Sequence, residues 1–279
     1  MYQESISRKR PGCIIFMLDR SDSMSRSWGG SETLAEGAAR AINSILLELC
    51  LRAQKGQGLS YHYFDIGMIG YGLRPMAGGE GVESAFGGTL AGRNLVPLPE
   101  LRDNPIAVRP VVSQDAGPPV RAPVWVEPMQ GYRTPMCEAI AIAGLHVFEW
   151  AQAHPESFPP IIINITDGFV TDSPFDGATL DEWAERLTGI GTQDGPALLF
   201  NIFLAPEPNL VMLPATDAGL PSPGPDLFRI SSVLPPPMVL SAQNAGITPP
   251  SGARGFAFNA DSTMLVKFLE IGTRVEMRD

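Results

Sequence analysis

An uninterrupted apolar run, Cys13-Ile14-Ile15-Phe16-Met17-Leu18, follows Pro11-Gly12 and ends at Asp19-Arg20-Ser21-Asp22-Ser23. Apolar residues without polar alternation, bounded by turn formers, predict a strand covered on both faces, as in a parallel sheet. The same pattern recurs at Phe64-Asp65-Ile66-Gly67-Met68-Ile69-Gly70-Tyr71, at Ile161-Ile162-Ile163-Asn164-Ile165 and over 197–204. Between these runs the period changes. Leu34, Ala38, Ile42, Ile45 and Leu49 recur at helical spacing within 31–54, and Gly56 and Gly58 follow as a stop signal. Met136, Ile140, Ala143, Val147 and Trp150 mark one face of a second helix over about 135–153, closed by His154-Pro155. A third helix is expected around 179–187. Gly255-Phe256-Ala257-Phe258 reads as a last strand, and Asp261 or Ser262 caps a final helix to about 271.

Strands alternating with helices predict an α/β, Rossmann-like fold: a doubly wound, mostly parallel central sheet flanked by helices. The periodicity fails twice. Residues 73–123 are rich in Gly, Pro and Arg, with short strand-like pieces such as Asn94-Leu95-Val96-Pro97-Leu98. They are expected to form an irregular insertion that includes an edge hairpin. Residues 205–250 are Pro-rich, include Pro235-Pro236-Pro237, and read as loop. No repeat or second core is visible. The expectation is one domain over 1–279, with core segments at about 11–72, 124–204 and 255–272 and insertions at about 73–123 and 205–250.

Composition narrows the function. A net charge of −10 argues against a nucleic-acid backbone or an anionic membrane as the main partner. No apolar stretch approaches the roughly 20 residues needed to cross a bilayer. The start, MYQESISRKRPG, has no apolar core of a secretory signal. Cys13, Cys50 and Cys137 are far apart, each in an apolar segment, which suits reduced core cysteine. These features together lead to the expectation of a cytoplasmic protein. No Cys-x-x-Cys pair occurs, and His62, His146 and His154 show no ligand spacing, so they read as structural or surface residues.

In open α/β sheets, function collects at the carboxyl ends of the strands. There the chain delivers Asp19, Ser21 and Ser23 after the first strand and Thr166-Asp167-Gly168 after a later one, with Thr134 at the start of a helix. Clustered oxygen ligands suit a hard cation. Taken singly, each has an ordinary reading: Thr134 as a helix cap, Thr-Asp-Gly as a turn. Taken together, Asp19-x-Ser21-x-Ser23, a later Thr134 and Asp167 resemble the metal-ion-dependent adhesion site of von Willebrand factor A domains, and the resemblance extends to the order of strands and helices. It implies that Ser21, Ser23 and Thr134 bind Mg²⁺ (or Mn²⁺ or Ca²⁺) through hydroxyls, and that Asp19 and Asp167 act directly or through water. One position would stay open for an Asp or Glu of another protein. Arg20 and Asp22 lie at variable positions of the motif. Trp28 and Arg133 are candidate rim residues for the partner, against a folded-back Trp28 and a locally paired Arg133.

The resemblance implies a binding module and not an enzyme, with no catalytic residue. It is closest in character to the intracellular bacterial, TerY-like branch, which suggests a scaffold or adaptor in a stress, signalling or defence system. The implied partners are a kinase, a PP2C-type phosphatase or an AAA+ ATPase. The alternatives are a Mg²⁺-dependent, haloacid-dehalogenase-like phosphatase and a domain whose site is only structural. The phosphatase needs a second Asp where Ser21 stands. The chain also lacks a Gly-x-x-x-x-Gly-Lys-[Ser/Thr] loop and a Gly-x-Ser-x-Gly elbow.

Overall fold

The computed structural model describes residues 1–28, 32–55, 59–72, 81–111, 120–205 and 210–273. Its centre is an eight-stranded sheet: β1 (Gly12–Asp19), β2 (Phe64–Tyr71), β3 (Val82–Ser84), β4 (Leu95–Pro97), β5 (Ile161–Thr166), β6 (Leu198–Phe203), β7 (Val211–Met212) and β8 (Phe256–Phe258). The order is β7-β8-β6-β5-β1-β2-β3, with β4 also pairing β2. The five central strands run parallel, and the short edge strands β3, β4 and β7 are antiparallel. This is the doubly wound, mostly parallel α/β architecture that the alternation predicts.

The helices are α1 (Leu34–Arg52), α2 (Leu98–Asp103), α3 (Met136–Ala153), α4 (Leu180–Gly189), α5 (Gly224–Ile230), α6 (Pro236–Asn244) and α7 (Ser262–Thr273). They cover both faces of the sheet, which explains why β1 has no polar alternation. Ile14, Phe16 and Leu18 pack into the layer that holds Leu34, Ile42 and Leu49 of α1 and Leu265 of α7. Cys13, Ile15 and Met17 pack into the opposite layer, with Ile140 and Val147 of α3 and Leu187 of α4. Each such side chain removed from water contributes roughly 1.5–3 kcal/mol.

The two insertions are more ordered than their composition suggests. In the first, β3, β4 and α2 extend the sheet edge, and Ala107–Val111 pairs with Val120–Val124 as a separate antiparallel hairpin. In the second, the stretch expected to be loop contains β7, α5 and α6. Pro236 and Pro237 fall in the first turn of α6, where an N–H would have no intrahelical acceptor, so proline starts the helix there instead of breaking it. The helix predicted over 31–54 begins at Leu34, where Thr33 and Glu36 form a reciprocal capping box. Gly56 and Gly58 lie outside the described residues. Asp261 caps α7 by accepting from the Met264 N–H at 2.8 Å.

Candidate metal and partner site

Asp19 is the last residue of β1, and its side chain is 1% exposed. Register fixes its neighbourhood. β1 lies between β2 and β5, so the chain leaving β1 emerges beside the exit of β5, at Thr166-Asp167-Gly168. Asp19 Oδ1 accepts from the Ser21 N–H at 2.8 Å, and Oδ2 accepts from the Thr166 hydroxyl at 2.5 Å. Past Ser21 the chain turns into a short 3-10 helix, Asp22–Ser25, which brings Ser23 back over the strand end. Ser21 Oγ and Ser23 Oγ are 2.9 Å apart, and Ser23 Oγ donates to Asp167 Oδ1 at 2.8 Å. A hydroxyl has a single hydrogen, so the one between the serines comes from Ser21. The protons thus run toward Asp167, leaving lone pairs on both hydroxyls.

Thr134 reaches the same place from the start of α3. It is 4% exposed. The point where a Cβ on Gly168 would sit is 2.8 Å from Thr134 Oγ1 and 3.4 Å from Asp19 Oδ2. Glycine at 168 is therefore what lets the threonine hydroxyl and the aspartate face each other. The simplest alternative role for Thr134, capping α3, is filled by another residue. Asp172 accepts from the N–H groups of Cys137 at 3.1 Å and Glu138 at 2.9 Å. Thr134 is held by its backbone instead, with its N–H donating to Thr171 Oγ1 at 3.0 Å and its carbonyl accepting from Thr171 N–H at 3.1 Å.

The five residues expected from the sequence, Asp19, Ser21, Ser23, Thr134 and Asp167, thus occupy one spot at the carboxyl end of the sheet. Two carboxylates and three hydroxyls form an all-oxygen donor set, which fits a hard divalent cation such as Mg²⁺, Mn²⁺ or Ca²⁺. Among the described residues there is no group of three or more His, Cys, Asp or Glu side chains placed to hold a metal. The donor set here depends on its hydroxyls. Burial pushes the Asp19 carboxyl up to about 6, against the hydrogen bonds of Thr166 and Ser21 that pull it down, and the Asp167 charge adds to the rise. A buried carboxylate near a second one is the kind of group that a bound cation relieves.

Two further side chains join the five at this site, Thr166 of the Thr-Asp-Gly segment and Arg26, which no sequence pattern marks. Thr166 is wholly buried and links Asp19 to the β5 exit, also accepting from the Gly168 N–H at 3.1 Å. Arg26 places Nη2 2.7 Å and Nε 3.2 Å from Asp167 Oδ2, and Nη2 also donates to the Asp167 carbonyl at 3.2 Å. Its partner is 141 residues away in the chain, so nothing local marks it. Of the variable motif positions, Asp22 is exposed, whereas Arg20 is buried with its guanidinium over Gly70.

Around the rim, Trp28 is half-buried, with its ring against Gly37 of α1 and packed on the core, so it is not a free anchor. Arg133 is exposed and stacks over Tyr132, its guanidinium carbon 5.5 Å from the ring centre. Among the described residues it forms no ion pair. Besides Tyr132, at 54%, an exposed aromatic next to the site is Phe169, at 61%. It borders a cleft of about 350 Å³ that also meets Gly168, Val170, Leu227 of α5 and the ion-paired Asp181, Arg229 and Asp226. The second insertion therefore supplies a wall beside the site.

No family model and no curated protein matches the chain. Among solved structures it is similar to the pilus adhesin SpaC of Lactobacillus rhamnosus GG, at 14% identity and a TM-score of 0.50, over 93% of this chain and 29% of that one. The likeness is one of fold. It is a likeness of α/β architecture, a doubly wound and mostly parallel sheet flanked by helices. The alternation of strands and helices along the chain is the one expected from the sequence. Weaker superpositions are found with the ArnB paralog VWA2 of Sulfolobus acidocaldarius (16% identity, TM-score 0.37, 72% of this chain and 36% of that one). The human COPII-coat protein Sec24c is comparable (15% identity, TM-score 0.35, 72% and 27%). The chain spans about a third or less of each of these proteins. Among the described residues no helix is long and apolar enough to cross a membrane.

Proposed function

We propose that the chain is a metal-dependent protein-interaction module, in which Asp19, Ser21, Ser23, Thr134 and Asp167 hold a divalent cation that in turn accepts an Asp or Glu of another protein. The observation that carries this reading is the convergence of three distant segments on one oxygen-rich spot, with Thr134 released from capping duty by Asp172. Three of the five donors are neutral hydroxyls, so few of the cation's direct ligands are anions, and an outside carboxylate can complete its coordination. When bound, the cation supplies the attraction for that carboxylate. The residues around it set its position.

Capture without turnover is part of the reading. Asp19 is locked by Thr166 and Ser21, and no second acid stands at position 21 to move a proton to a leaving group. A scaffold or adaptor role in a bacterial stress, signalling or defence assembly, with a kinase, PP2C-type phosphatase or AAA+ ATPase as partner, rests on the sequence resemblance.

The test is the thermal stability of the full chain in Mg²⁺ or Mn²⁺ against EDTA, for wild type, Thr134→Ala and a Ser21→Ala/Ser23→Ala double variant. A ligand that binds only the folded state raises its melting temperature. The expected result is an ion-dependent rise in wild type that the double variant lacks. No rise at millimolar cation, or turnover of an aryl phosphate abolished by Asp19→Asn, refutes the proposal.

A further inference from the structure

Asp167 is held from two sides. Its carboxylate has no exposed surface, and Oδ1 takes the Ser23 hydroxyl at 2.8 Å while Oδ2 takes the Arg26 guanidinium at 2.7 and 3.2 Å. Arg26 is tied down in turn: Nη2 also reaches the Asp167 carbonyl, and Nε reaches the Ser23 carbonyl at 3.3 Å. Its side chain is half exposed, so it forms the outer wall of the site. The guanidinium fork thus joins the 3-10 turn after β1 to the exit of β5, the two segments that carry four of the five candidate ligands.

Charge decides what this does. Asp19 and Asp167 together would neutralise a divalent cation, and an entering carboxylate would then meet a site without net charge. With Arg26 alongside, the loaded site keeps one positive charge. We infer that Arg26 is a positioning residue that holds Asp167 back from the cation and keeps the loaded site cationic, giving up metal affinity in exchange for affinity toward a partner's carboxylate. The inference rests on the metal-site reading and adds a residue and a direction to it. It makes the two affinities move in opposite senses when the charge is removed, whereas a residue that only braces the fold would move them together.

The experiment uses the full chain with Mn²⁺ as the metal probe and acetate as the carboxylate probe. Binding of Mn²⁺ is followed by water-proton relaxation, and displacement of metal-bound water by acetate is read as loss of the enhancement. Removing one charge roughly 5–6 Å from a divalent ion in a water-like dielectric corresponds to about a tenfold change in affinity, and for a monovalent carboxylate about threefold. Arg26→Gln is expected to bind Mn²⁺ about tenfold tighter and acetate about threefold weaker at low salt, with both differences shrinking as salt is added. Arg26→Lys, which keeps the charge, is expected to stay close to wild type in both. Unchanged Mn²⁺ binding in Arg26→Gln, or a joint loss of both affinities, overturns the inference while leaving the metal site standing. Wild type that takes up no Mn²⁺ overturns the metal reading and this inference with it. Melting temperatures in EDTA identify a variant that has failed to fold, and Arg26→Lys then carries the test: large loss of Mn²⁺ binding despite the retained charge counts against the inference.

Discussion

Thr166 donates its hydroxyl to Asp19 across the junction of the two central strands, at 2.5 Å and with both side chains buried. The bond holds one carboxylate oxygen while the Ser21 N–H holds the other. Thr166→Val keeps the shape and removes the donor, leaving a buried carboxylate short of one partner and the Gly168 N–H short of its acceptor. The expected loss is about 1–3 kcal/mol, read as a lower urea midpoint in EDTA.

Asp19 itself is expected to work against folding when no cation is bound, because its charge is buried at neutral pH. Asp19→Asn should be at least as stable as wild type at pH 7.5 in EDTA, by up to about 3 kcal/mol, and should show no ion-dependent rise. A variant that is both less stable and still responsive to Mg²⁺ would contradict this account.

Gly168 is required by space and not by backbone conformation. A methyl group there meets the Thr134 hydroxyl at 2.8 Å, closer than contact allows. Gly168→Ala should displace Thr134 and reduce the Mg²⁺-dependent melting shift, with a smaller effect on stability in EDTA. An unchanged shift would mean that Thr134 is not a ligand.

A buried polar chain crosses the sheet beneath the site. Tyr71 donates to Asn164 Oδ1 at 2.7 Å, Asn164 Nδ2 donates to Asn201 Oδ1 at 3.0 Å, and Asn201 Nδ2 donates to Ser231 Oγ at 2.9 Å. Asn164→Leu strands the Tyr71 hydroxyl and one face of Asn201 together. The expected loss is on the order of 2–4 kcal/mol in chemical denaturation, more than for truncating an exposed asparagine.

His62 and Asp65 give stability a pH dependence away from the site. The ring Nε2 lies 2.7 Å from Asp65 Oδ1, and this bond raises the His62 pKa against a smaller opposing effect of burial. Burial pushes Asp65 up, but hydrogen bonds from His62 and Trp150 outweigh it and the net shift is downward. The His62 contribution is complete below the ordinary histidine value of 6.5 and fades as pH rises through the elevated folded value. The Asp65 contribution is complete above the ordinary value of 3.8 and fades as pH falls through the depressed folded value. Denaturation midpoints of wild type and His62→Gln should therefore differ most between about pH 4.5 and 6 and converge toward about pH 8.5. A gap that widens above pH 8 would refute the pairing.

The sheet could be read from the chain because β1, β2, β5 and β6 are buried on both faces, and an apolar run without alternation has few other homes. The candidate ligands could be read because Asp19, Ser21 and Ser23 lie within one turn and Asp167 ends a strand. Arg26 could not, since a charge in a serine-rich loop looks solvated until a partner from β5 is brought against it. The helix α6 was hidden by its own prolines, which mark a loop by composition and a helix start by position. Phe169 was hidden because its relevance depends on a packing of two loops that no short pattern records.

Asp172 holds the first N–H groups of α3 from outside the helix. Folding and recognition at that corner are thereby assigned to different side chains. The hydroxyl at 134 is free to be exchanged, retuned or lost over evolution without unwinding the helix behind it, so the same scaffold can drift between strong, weak and silent sites while its architecture persists.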